Sequence, residues 1–140
     1  MEENFRSTCP ISSVLDIVGD KWSLLIIRDM MFGEKSTFGE FASSQEHIAT
    51  SILADRLYRL ECNSIISKGK LPDDKKKNIY TLTNKGIDLL PMVIEMILWS
   101  DKNHDHIAFG MKDLAEKISK NKNNFVKNYA IRLKKRLLQD

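Results

Sequence analysis

The chain has 140 residues, 42% apolar and 29% charged, which suits one globular domain with a core and excludes a disordered or low-complexity protein. Its longest aliphatic run, Leu24-Leu25-Ile26-Ile27, falls far short of the about 20 apolar residues that span a bilayer. The net charge of +3 is unevenly laid out: residues 1–110 carry 13 Lys+Arg against 16 Asp+Glu, and residues 111–140 carry 9 against 3. Any surface for nucleic acid must therefore be a local patch.

The start, MEENFRS, is acidic and polar rather than basic then apolar, so no secretory signal is read there and a cytoplasmic protein without membrane attachment is expected. Two cysteines, Cys9 and Cys62, make neither a disulfide framework nor a metal spacing. His47, His104 and His106 fall in polar loops. His104, Asp105 and His106 could in principle hold a metal, but the stretch reads better as a surface loop, and no metal or cofactor is expected.

In chain order, Cys9-Pro10 opens a first helix, with proline near the first turn where its missing N–H costs nothing. Ile11, Val14, Leu15 and Val18 follow at helical spacing until Gly19. A second helix, Lys21 to Phe32, is apolar almost all round and should be enclosed on most sides, with Gly33 stopping it. Arg28 within it reads better as a structural ion pair than as a ligand contact. Thr37-Phe38-Gly39-Glu40 matches the capping box and starts a short third helix. After the polar loop from Ser43 to His47, the stretch Ile48 to Cys62 places Leu53, Leu57 and Leu60 on one helical face and Ser51, Asp55, Tyr58, Arg59 and Cys62 on the other. An ordinary amphipathic surface helix looks much the same. Two helices joined by a short turn, the second with an exposed polar face, is nevertheless the helix-turn-helix arrangement.

Beyond Asn63-Ser64 the period shortens to 2 and predicts a hairpin. Ile65 to Lys70 is the outgoing strand, Leu71 to Lys77 a charged turn and Asn78 to Leu82 the return. Lys68, Lys70, Lys75, Lys76 and Lys77 crowd this hairpin, as a solvated turn or as a phosphate-gripping wing. Thr83 should cap a helix running to about Lys102, which Pro91 either kinks or divides. Two more helical patterns follow, one with Met111, Leu114, Ala115 and Ile118, the other basic with Phe125, Tyr129, Leu133 and Leu137 at i+4 spacing.

Cys9-Pro10, Gly19-Asp20-Lys21-Trp22, Leu24 to Asp29, Thr37 to Glu40, Leu53-Ala54-Asp55-Arg56-Leu57, Leu60-Glu61 and Tyr80 to Gly86 follow in an order and spacing that resemble the HxlR-type regulators. These are winged helix-turn-helix transcription factors related to the MarR group, and the resemblance covers roughly residues 7–102. It implies a mainly α fold with a small β-hairpin wing, dimerising through N- and C-terminal helices. It further implies a homodimer on palindromic double-stranded operator DNA, and in some relatives a response to oxidants or electrophiles through the N-terminal cysteine, here Cys9. Residues 7–102 would be the DNA-binding domain; residues 103–140, a helical extension, inherit nothing from the family, and their Phe125–Leu137 stripe argues for packing in the dimer interface ahead of contact with flanking DNA.

The chain departs from the family pattern with His47 and Ser64 at two usual glycine positions and Ala49 at the usual capping position. Thr50 is then expected to cap one residue later, and Asn63 to take the left-handed conformation. In the groove, Thr50 and Ser51 would bond phosphates or base edges, Asp55 a cytosine amine, and Arg56 and Arg59 guanine or phosphate. Arg56 lies toward the buried side, so an internal ion pair is an equal reading. The five wing lysines would act through counterion release. Of the two thiols, Cys9 sits at a helix start and Cys62 near a helix end, so the dipole ranks Cys9 first as a sensor, with an inert thiol still open. A winged-helix protein-interaction module without sequence-specific DNA binding is the alternative function. No enzyme is expected: there is no glycine-rich phosphate loop, no HExxH and no defensible Ser–His–Asp or Cys–His set.

Overall fold

The computed structural model describes residues 4–104 and 111–139. The chain divides into two compact units, Met1–Thr83 and Asn84–Asp140. The first contains α1 (Pro10–Val18), α2 (Ser23–Phe32), α3 (Phe38–Ala42), α4 (Thr50–Cys62) and an antiparallel hairpin of β1 (Ile66–Lys70) and β2 (Asn78–Leu82).

Cys9 is the extended N-cap residue of α1, and Gly19 closes the helix with its N–H on the Leu15 carbonyl. A Cβ at Gly19 would lie 2.3 Å from that oxygen, so glycine is required by the close approach of backbone. α2 begins at Ser23, two residues later than expected, after a turn in which the Asp20 side chain satisfies the first free amides. The Asp20 carboxylate accepts from the amides of Trp22 and Ser23, both at 3.0 Å, and from the Ser23 hydroxyl at 2.6 Å. As its composition predicts, α2 is deeply enclosed: Ile26, Ile27, Met30 and Met31 are all buried.

The capping box of α3 forms: Thr37 Oγ1 accepts from the Glu40 amide, and Glu40 Oε1 accepts from the Thr37 amide. It presents Phe41 to the core, edge-on to Tyr80 of β2 with 6.2 Å between ring centres. The Tyr80 amide donates to the Ser36 carbonyl at 2.8 Å, which fastens the return strand to the front of α3. On α4 the predicted stripe is buried: Leu53, Leu57 and Leu60 are at most 1% exposed. Between the two helices, Arg28 of α2 reaches Glu46 with both guanidinium nitrogens, Nη1 to Oε2 at 2.6 Å and Nη2 to Oε1 at 2.8 Å. This is the structural ion pair expected for Arg28, and its second carboxylate is Asp29.

The ends of α4 correct two expectations. Thr50 does not cap the helix; Ala49 occupies the N-cap position without a side-chain acceptor, and Thr50 lies in the first turn. Asn63 is not left-handed (φ −88°); Ser64 is, at φ 60°. The reason is a Schellman closure, with the Ile65 amide on the Leu60 carbonyl and the Ser64 amide on the Glu61 carbonyl. That pairing demands a left-handed residue one place after the C-cap, while Asn63 spends its amide group on the Arg59 carbonyl. His47, in the turn before α4, is also left-handed at φ 55°. The hairpin follows with Ile66 opposite Leu82, Lys68 opposite Tyr80 and Lys70 opposite Asn78. β1 buries only Ile66, so the alternation read along it does not face a core on either side.

The second unit holds α5 (Asn84–Ile87), α6 (Leu90–Asn103), α7 (Lys112–Lys120) and α8 (Lys122–Gln139). Pro91 divides rather than kinks: it sits in the first turn of α6, where no intrahelical bond is lost. Ile87, Leu90, Val93, Ile94, Ala115, Ile118 and Leu133 are buried. α8 packs against α5, α6 and α7, its Lys122 ammonium 2.7 Å from Glu95 of α6. Asp105 and His106, of the histidine-containing loop, lie outside the described residues. Among the described residues no helix is long and apolar enough to cross a membrane.

Truncating the buried stripe should be costly: Leu57→Ala is expected to lower the unfolding free energy by about 2–5 kcal/mol in urea titrations. The Arg28 hydrogen bond holds the Glu46 carboxyl at about 2, below its usual 4.5. A carboxyl depressed in the folded state contributes fully above its unfolded value and loses that contribution as pH falls toward the folded one. Stability should thus decline between pH 4.5 and about 2, and Glu46→Gln should flatten that decline, read as urea midpoints across the window.

Candidate nucleic-acid interface

Burying the leucine stripe turns the opposite face of α4 outward. Thr50, Ser51, Asp55, Tyr58, Arg59 and Cys62 are all exposed, Tyr58 to 66%. Asp55 pairs with Arg56 and lies 4.0 Å from Arg59 one turn on. Tyr58 and Cys62 sit together on the same ridge, and a hydrogen bond from the Tyr58 hydroxyl to the Cys62 sulfur pushes the phenol up from its ordinary value.

Arg56 is placed differently from its neighbours. Its side chain is 21% exposed, and Nε donates to Asp20 Oδ2 at 2.8 Å while Nη1 engages Asp55. The internal ion pair that the sequence left open to it is formed. Burial pushes the Asp20 carboxyl up, but hydrogen bonds from Ser23, Arg56 and Trp22 outweigh it and hold the group at about 2. Asp20 therefore caps α2 and clasps α4 with one carboxylate. Nothing in the sequence pairs it with Arg56, 36 positions away. Tyr58 was legible as an outward residue, yet only its exposure marks it as prominent on the ridge.

β1 packs against α4, which makes the ridge and the hairpin one surface. Lys68 stands 3.9 Å from Glu61 of α4. Lys70, Lys75, Lys76 and Lys77 are exposed along the hairpin and its tip. Asp74 shapes that tip by accepting from the Lys76 amide on its side chain and from the Lys77 amide on its carbonyl. Four of the five wing lysines thus share a surface with no short ion pair drawn to them among the described residues.

Cys9 is exposed at the N-cap of α1, and both cysteines are free thiols. The nearest cation in sequence, Arg6, is engaged by Asp16. Large apolar side chains are exposed on two helices, Ile11 and Leu15 on α1, at 71% and 53%, and Met96 and Trp99 on α6, at 50% and 63%.

The model of the HxlR-like helix-turn-helix family matches residues 17–108. The chain is 39% identical over 98 residues to the HTH-type transcriptional regulator YodB of Bacillus subtilis, covering 69% of this chain and 87% of that protein. The structure of YodB in its reduced form superposes with a TM-score of 0.57 at 35% identity, over 70% of this chain and 96% of YodB; diamide-treated and quinone-bound forms match as well. The redox regulator HypR in its oxidized form gives a TM-score of 0.61 at 30% identity, over 69% and 98%. With a winged helix-turn-helix in place, and with sequence and structural relatives in agreement, the chain belongs to the HxlR-like family of helix-turn-helix transcriptional regulators, which are not enzymes.

Proposed function

We propose that this regulator binds palindromic operator DNA as a homodimer, with residues 7–102 as the DNA-binding part and 103–140 as a helical extension. The observation that carries this reading is the continuity of the polar ridge on α4 with the lysine-rich hairpin. A ridge anchored from below by three leucines can enter a major groove without unfolding anything. Thr50, Ser51, Asp55 and Arg59 would meet base edges and phosphates, while Lys68, Lys70, Lys75, Lys76 and Lys77 flank the groove. Arg56 acts here by holding α4 on Asp20 rather than by touching DNA.

Exposed Ile11, Leu15, Met96 and Trp99 support a dimer through α1 and α6, since apolar groups of this size on a surface favour a partner. A two-fold pair would set its recognition helices about 34 Å apart. Cys9 is the candidate for oxidant or electrophile sensing. The relatives YodB and HypR have structures in diamide-treated, quinone-bound and oxidized forms, and the Cys9 thiol is open to solvent at the start of α1.

Selection from a random duplex pool should yield an inverted repeat, with affinity falling roughly 10³–10⁵ between 50 and 200 mM salt if 6–10 phosphates are engaged. Replacing Lys75, Lys76 and Lys77 by alanine should lower the salt slope by about 0.9 for each phosphate no longer neutralised and leave the selected sequence unchanged. No enrichment of any duplex would refute the reading. For sensing, diamide should weaken operator binding by the wild type and the Cys62→Ser variant but spare Cys9→Ser. An undiminished response in Cys9→Ser would remove Cys9 from the mechanism.

A further inference from the structure

We infer that α7 and α8 carry a second surface for the phosphodiester backbone of DNA, built from residues other than those of the ridge and wing; the choice of DNA as occupant rests on the operator-binding reading above. The surface begins with two shallow clefts of about 490 and 330 Å³ that share Asn128 and Arg132 and so form one trough. Five cations line it: Lys117 and Lys120 from α7, and Arg132, Lys135 and Arg136 from α8. Asn121, Asn124 and Asn128 add amide donors between them. Among the described residues no carboxylate lines either cleft.

The trough also has a floor. Phe125 and Tyr129 stack with ring centres 5.5 Å apart, and the Arg132 guanidinium lies 5.6 Å over the Tyr129 ring, which fixes its direction. The opposite side of α8 is already committed within its own unit, through buried Leu133 and the packing on α5, α6 and α7. What α8 presents outward among the described residues is therefore mainly polar and cationic, with Ile131 an isolated exposed aliphatic rather than part of a stripe awaiting a partner helix. Lys117 and Lys120 sit in the last turn of α7, where the dipole favours a cation; Arg132 and Lys135 lie inside α8, where it gives no reason for them. Arginine, lysine and amide side chains are the groups that bond DNA phosphates. The helices lie past residue 108, beyond the family match, so this surface is an addition to the shared domain.

The test uses the full chain and a selected operator duplex, bare or extended by about ten base pairs (one helical turn) on each side. The wild type should bind the extended duplex more tightly than the bare one, with the difference shrinking as salt rises. A Lys117→Gln/Lys120→Gln/Lys135→Gln variant should bind the bare duplex like wild type and lose the extra affinity. Its logarithmic salt slope on the extended duplex should fall by roughly 0.9 for each phosphate left unneutralised. Equal slopes and an equal gain from the flanks, in a variant whose thermal midpoint is unchanged, overturn the inference and leave operator binding standing. Failure of the wild type on the bare duplex refutes the operator reading and this one with it. Tighter binding of polyglutamate or of phosphatidylserine vesicles than of the extended duplex also overturns it, by assigning the trough to another polyanion.

Discussion

Everything outward on α4 depends on what lies inward. Leu53, Leu57 and Leu60 are essentially removed from water, and burial of each such side chain is worth about 1.5–3 kcal/mol. That burial sets the rotation of α4, and rotation decides which side chains form the ridge. The two ion-pair clasps refine the result. Arg28–Glu46 holds the turn before α4 to α2, and Arg56–Asp20 holds the body of α4 to the cap of the same helix. Partly exposed pairs of this kind add little to stability, yet they specify one orientation among the several an apolar stripe would tolerate.

Arginine and lysine divide the work in the first unit. Arg6, Arg28 and Arg56 are each bound to a carboxylate, two of them through more than one nitrogen, as suits a planar fork with several donors. Arg59 is the arginine left largely exposed on the ridge, at 52%. The lysines of the hairpin keep to the surface as solvated point charges. An acidic balance over residues 1–110 is therefore no obstacle to a cationic face, because many of its acids are consumed by structural arginines and helix caps. Asp20 and Glu40 each serve twice over: each satisfies a helix start through more than one hydrogen bond, and Asp20 also clasps Arg56.

Local rules made much of this legible from the residues alone. The leucine stripe, the capping box of Thr37 and Glu40, the glycine ends of α1 and α2 and the hairpin all follow from spacing within a few residues. The residue types of the ridge and wing were legible for the same reason. Partners far apart in the chain were not. Arg56 could be read as a DNA contact or an ion pair, and only the approach of Asp20 across 36 positions makes the ion pair visible. The end of α4 failed for a different cause. Asparagine is the better left-handed residue, but the hydrogen-bond closure selects a position and not a residue type, and the position belongs to Ser64. Pro91 was ambiguous because a helix start and a kink look alike until the preceding segment is seen to end at Ile87.

His47 and Ser64 bracket α4 in a backbone conformation that costs a residue with a Cβ about 1–2 kcal/mol. Neither is glycine, so the two turns that frame α4 hold a small reserve of unrelieved tension. Substituting glycine there would release part of it and add freedom to the unfolded chain, two effects of similar size. Strain in α4 is thus confined to the turns at its two ends, while its middle rests on three buried leucines.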